Sequence, residues 1–117
     1  MESHVLAQKI SEFALEKKGE DVVIMDMAEL TTSCDYFVVI TGSSDIHSKS
    51  IADHIERQLR EDGIRLNHKE GYVTANWILL DYIDVVVHIF KPDIRDYYDL
   101  ESLWADAKVK LVRDEVK

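Results

Sequence analysis

The chain has 117 residues, 46% hydrophobic and 32% charged, a globular composition long enough for one domain with its own core. Fourteen Lys and Arg stand against 23 Asp and Glu, and this formal charge of −9 argues against docking on a phosphate backbone. It suits a basic partner, or plain solubility. Cys34 has no second cysteine to pair with, which excludes an intramolecular disulfide, argues against a thiolate zinc site and fits a reducing cytoplasmic setting.

The first residues, MESHVLAQKISEF, carry acids and a helical period where a signal peptide needs a basic start and an unbroken apolar run. No apolar stretch approaches the ~20 residues of a membrane span. Leu6, Ile10, Phe13 and Ala14 recur at helical spacing, so residues 3–18 read as an amphipathic helix ending near Gly19. Val22 to Met25 is a short β-like run. Asp35 to Thr41 is a stronger one, its continuous β-branched and aromatic residues predicting burial on both faces. Gly42-Ser43-Ser44-Asp45 then supplies a turn, with Ser44 or Asp45 as N-cap of a second helix carrying Ile51, Ile55 and Leu59 and stopping at Gly63. Residues 64–69 suit an edge strand. Trp77 to Leu80 and Val85 to Phe90 suit an antiparallel hairpin. Pro92 ends the second of these, and Asp93 to Lys110 reads as one or two helical segments with Leu100, Leu103, Trp104, Ala107 and Leu111. No linker or repeat divides the chain. The order predicts a single α/β (α+β) domain over residues 1–117, a mixed sheet of about five strands flanked by helices.

Three constellations bear on chemistry. Thr41-Gly42-Ser43-Ser44 sits between a strand and a helix, where backbone N–H groups can hold a phosphate, but the spacing and lysine of a P-loop are missing. A Gly-Ser turn followed by strand carboxylates also suggests a nucleotidyltransferase layout, which needs two acids on one strand face to hold Mg²⁺. Asp81 has Leu79 and Ile83 two residues away, and Asp84 has Tyr82 and Val86, so the metal pair is absent. The five histidines, His4, His47, His54, His68 and His88, lack metal-ligand spacing, and no nucleophile with a base and an orienting group can be assembled from Cys34, the serines and these histidines. No catalytic residue, metal or cofactor is predicted. The third constellation is compositional. Residues 70–106 hold eight acids against two bases and seven of the ten aromatics, the makeup of a protein-binding surface with ring anchors and steering charge. Taken singly, Trp77, Phe90 and Trp104 are equally well read as core.

The stretches Asp35 to Ser44, Glu70-Gly71, Asn76 to Tyr82, Asp84 to Phe90 and Arg95 to Trp104 resemble the ribosomal silencing factor family (RsfS, Iojap or YbeB), and the match runs from about residue 3 to 107. Ile83 departs from the pattern, standing where the family has Gly in the hairpin. The resemblance implies a nucleotidyltransferase-like fold that has lost catalysis, and a homodimer when free. It also implies a translational repressor that binds the large ribosomal subunit through its ribosomal protein number fourteen. There it blocks joining of the small subunit under nutrient limitation. Neither nucleic-acid recognition nor a membrane partner is expected. By strand alternation Trp77, Leu79 and Asp81 share one face, and Ile78, Leu80 and Tyr82 the other. The partner-binding residues expected are Glu70, Trp77, Leu79, Asp81, Tyr82, Tyr98 and Asp99. Two competing readings are a dimeric adaptor in large-subunit biogenesis and an active nucleotidyltransferase using Ser43, Asp81 and Asp84.

Overall fold

The structure, a computed structural model, describes residues 1–113. Its elements in chain order are α1 (Ser3–Glu16), β1 (Glu20–Asp26), β2 (Tyr36–Thr41), α2 (Asp45–Glu61), β3 (His68–Glu70), β4 (Trp77–Asp81), β5 (Val85–Phe90), α3 (Pro92–Tyr98), α4 (Leu100–Leu103) and β6 (Lys108–Leu111). The strands form one mixed sheet in the order β3-β4-β5-β2-β1-β6. β2 and β5 run parallel at its centre, and every other pair is antiparallel. No described helix is long and apolar enough to cross a membrane.

Helix α1 buries Leu6, Ala7, Ile10 and Ala14 as one stripe. It ends because Lys18 adopts φ 64°, and the Gly19 N–H returns to the Ala14 carbonyl at 2.8 Å. The left-handed position thus falls to Lys18, one residue before the predicted stop. Helix α2 starts at Ser44, whose hydroxyl accepts from the His47 N–H at 3.1 Å. It closes as predicted at Gly63, φ 80°, with Gly63 N–H donating to Arg60 O and Ile64 N–H to Leu59 O.

Both long helices lie on the same face of the sheet. There Ile24, Val38, Ile40, Ile78, Leu80, Val87 and Ile89 meet Ile10, Ile51, Ile55 and Leu59 in one core. At about 1.5–3 kcal/mol for each fully buried aliphatic side chain, this layer supplies most of the hydrophobic stabilisation. The opposite face is covered only in part. Val23, Met25, Val39 and Phe90 pack under Leu100 with Met27 and Cys34, and Phe37, Trp77, Val86 and Trp104 remain partly exposed.

The mixed sheet flanked by helices is as expected, with six strands for about five. The helical reading of Asp93 to Lys110 needs correction at its end. Helix α3 begins at Pro92, whose fixed φ suits a first helical position. Asp99 at φ 46° breaks it from the four-residue α4, and Lys108–Leu111 pairs antiparallel with β1. β6 is an exposed edge strand, so backbone pairing rather than burial determines its conformation. The predicted strand at 64–69 shrinks to His68–Glu70.

The β4–β5 hairpin turns through Tyr82-Ile83-Asp84, with Tyr82 N–H on Val85 O at 2.9 Å and Ile83 N–H on Asp81 Oδ1 at 2.7 Å. Ile83 has φ 74° and is 60% exposed, a β-branched side chain in a region that suits Gly or Asn. Replacing it relieves backbone strain without removing core contacts. Ile83→Asn should therefore stabilise the fold by about 1 kcal/mol, raising the thermal midpoint by roughly 4 °C. Calorimetry giving a lowered midpoint would contradict this.

Candidate functional site

The partly covered face is built in cross-strand rows. One row sets Asp81 beside Val86 and Phe37, the next sets Glu70 beside Leu79, His88 and Val39, and the third sets Trp77 beside Phe90 and Thr41. Trp77 projects at the margin of this face, its ring centroid 4.8 Å from that of Phe90 and 4.7 Å from that of Tyr98. Tyr98 is 48% exposed, and Asp99 follows it in the left-handed conformation. That conformation costs a non-glycine residue roughly 1–3 kcal/mol. Asp99 recovers part of this by capping α4, its Oδ1 accepting weakly from the Ser102 N–H at 3.4 Å.

The sheet register and the Trp77–Tyr98 contact thus bring six of the seven expected partner-binding residues to one side. Glu70, Trp77, Leu79 and Asp81 stand on the sheet, Tyr98 stands beside Trp77, and Asp99 follows it in the chain. Tyr82 is the exception. It is 6% exposed and packed in the core under α2, on the helix-covered face, with its hydroxyl unpaired among the described residues. Burial, reinforced by the Glu56 charge, pushes its phenol up. Tyr82 belongs to the scaffold. Of the rings that are equally well read as core, Phe90 is fully buried, whereas Trp77 and Trp104 are partly exposed.

Several residues outside the expected set support this side of the sheet. Phe37, Val86 and Trp104 extend the apolar floor, with Phe37 edge-on to Trp104 at 6.3 Å. Arg95, nearly buried, donates to Asp21 O at 2.8 Å, Thr41 Oγ1 at 2.9 Å and Glu101 Oε2 at 2.8 Å, tying α3 and α4 to the ends of β1 and β2. Gly71, φ 77°, leaves no room for a Cβ, which would overlap the Trp77 carbonyl. His88 accepts from the Trp77 Nε1–H through Nδ1 at 3.1 Å. Burial holds its imidazole down at about 4.

The Gly-Ser turn is occupied by its own helix. The Ser43 N–H donates to His47 Nδ1 at 2.8 Å, and His47 Nε2–H donates to Lys17 O at 2.8 Å. The Ser43 hydroxyl also lies 3.0 Å from His47 Nδ1, a serine–histidine pair within one turn of the chain. Nδ1 has one lone pair, and the amide at the shorter distance takes it, so the imidazole is not free to act as a base. At the hairpin end of the sheet, Asp81 spends Oδ1 on the Ile83 amide. His54 bonds Glu16 at 2.7 Å, so both helix-face histidines tie α2 to the end of α1. Among the described residues no group of three or more His, Cys, Asp or Glu side chains is placed to hold a metal ion.

The depressed pKa of His88 makes a pH prediction. An unfolded histidine titrates near 6.5, so the neutral folded imidazole contributes its full stabilisation above pH 6.5. The contribution is lost as pH falls from 6.5 towards about 4, amounting to about 2 kcal/mol by pH 5. Urea unfolding at pH 7.5 and pH 5 should show that parent protein loses this much more stability than His88→Asn. Equal losses would contradict the assignment.

The family model described as "Ribosomal silencing factor during starvation" matches residues 1–117. A ribosomal silencing factor RsfS of Bacillus subtilis is 44% identical over 92 residues, covering 79% of this chain and 78% of its own. That of Chromobacterium violaceum is 38% identical over 105 residues, 86% of each chain. A crystal structure of a Chromobacterium violaceum protein superposes with a TM-score of 0.88 at 33% identity, over 100% of this chain and 98% of the other. Sequence, length and fold agree, and the chain belongs to the ribosomal silencing factor family.

Proposed function

We propose that the chain is a non-enzymatic translational repressor whose partly covered sheet face docks on the large ribosomal subunit. The docking point is its ribosomal protein number fourteen, and the bound repressor blocks joining of the small subunit when nutrients are scarce. Family membership and the names of the relatives support the class of function. What carries the docking face is the gathering of Trp77, Leu79 and Tyr98 on one side, with the carboxylates of Glu70, Asp81 and Asp99 around them. Rings supply area that loses water on contact, and carboxylates steer and register Lys and Arg of a basic partner. Trp77 has neighbours on its flanks yet remains partly exposed, as an anchor needs to be. In this reading the free protein is a cytoplasmic homodimer. Catalysis finds no support in the geometry, since the turn that would hold a phosphate satisfies its own amide and the second strand acid is missing.

Sedimentation with purified large subunits tests the proposal, with formation of whole ribosomes from separated subunits as the functional readout. Trp77→Ala should weaken binding by about 2 kcal/mol, which is roughly thirtyfold, and restore subunit joining. Tyr98→Ala, made at a more exposed position, should act in the same direction with a smaller effect on the thermal midpoint. Tyr82→Phe should bind like the parent. Parent-like affinity in both Trp77→Ala and Tyr98→Ala would remove this face from the interface.

A further inference from the structure

His88 stands on the central strand β5 in an otherwise apolar run, 5% exposed. Packing alone would be served better there by Leu or Ile. An imidazole at this depth must stay neutral, and its Nε2–H has no acceptor among the described residues. The unpaired Nε2–H costs stability, because a buried donor without an acceptor loses its hydration for nothing. The compensation visible in the fold is the Nδ1 lone pair, which accepts the indole N–H of Trp77 at 3.1 Å.

That hydrogen bond does something stacking cannot. Phe90 and Tyr98 meet the Trp77 ring at 4.8 and 4.7 Å, tilted against it and 6.5 Å from each other, and Gly71 allows the close backbone approach at Trp77. Packed rings limit the tilt of an indole but do not distinguish its two orientations about the Cβ–Cγ bond, which exchange the polar and apolar edges. An acceptor at one edge selects one of the two. Phe37 in turn meets the imidazole edge-on at 4.5 Å, and Leu79 is its cross-strand neighbour, so His88 is itself held.

We infer that His88 is a positioning residue for partner binding: its neutral imidazole fixes one orientation of the Trp77 indole and thereby pre-forms the anchor of the docking face. This rests on the reading of that face given above. Pre-forming an anchor reduces the ordering cost at association, so its loss is read in affinity more than in stability.

The test compares His88→Leu, which fills the space and removes the acceptor, with His88→Asn, whose Oδ1 can take the place of Nδ1. Binding to purified large subunits, the thermal midpoint and the Trp77 indole ¹H–¹⁵N resonance are measured for each, with Trp77→Ala alongside. His88→Leu should bind about tenfold more weakly while melting no lower than the parent, with the indole resonance shifted. His88→Asn should recover most of the affinity and the parent resonance position. If Trp77→Ala weakens binding but His88→Leu binds like the parent, the positioning role is overturned and the docking face stands. If Trp77→Ala itself binds like the parent, the docking face fails and takes this inference with it. Should His88→Leu not fold, histidine ¹⁵N spectra of the parent decide. Nδ1 bare and Nε2 protonated, with coupling from Nδ1 to the Trp77 indole nitrogen, supports the role. A protonated Nδ1 overturns it.

Discussion

Both long helices of this protein lie against one face of a six-stranded sheet, and the rest of the architecture follows from that asymmetry. The opposite face is left to α3 and α4, seven and four residues long, which reach over Val23, Val39 and Phe90 but leave the flank at Trp77, Leu79, Val86 and Phe37 partly open. An open aromatic strip on a globular domain is a liability unless a partner covers it. Here it carries carboxylates at its rim, which in the proposed reading steer it towards a basic surface.

The strip is also held more firmly than exposure alone would suggest. Arg95 fastens the short helices to the ends of β1 and β2, so that Tyr98 and Asp99 are presented from a fixed turn. Gly71 lets the chain pass close to Trp77, and His88 takes its indole proton. Some of these features are costly to the fold. Asp99 sits at φ 46°, and a neutral histidine lies in an apolar strand. At the other site with an enzyme-like outline, the Gly-Ser turn, the local bonds turn inward. His47 fills the Ser43 amide and braces α1, making the turn a structural joint.

Much of this was legible in the sequence because it depends on local periodicity. The helix over residues 3–18, the Ser44 cap, the Gly63 stop and the hairpin around Ile83 are all fixed by residues close together in the chain. β6 was not legible. Leu100, Leu103, Ala107 and Leu111 imitate a helical stripe, and an exposed edge strand has no burial pattern of its own to compete with it. Tyr82 is a different failure. Alternation already placed it opposite Trp77, yet its aromatic ring and acidic neighbours drew it into the expected site, whereas parity decides burial. The Arg95 clamp to Asp21 and Thr41 depends on three-dimensional closure, which spacing alone does not report. The Trp77–His88 bond lies between these cases. Counting outward from the hairpin turn pairs residue 79 with 88 and 77 with 90, which brings Trp77 diagonally to His88.

The central claim is that the half-covered face, and not the helix-covered one, meets the large ribosomal subunit. Hydroxyl-radical footprinting of the protein free and bound to purified large subunits reads this directly. The account predicts that Trp77, Leu79 and Tyr98 lose reactivity on binding while Ile46 and Tyr72, on the side of α2, keep theirs. Protection of Ile46 and Tyr72 with Trp77 and Tyr98 unchanged would contradict it.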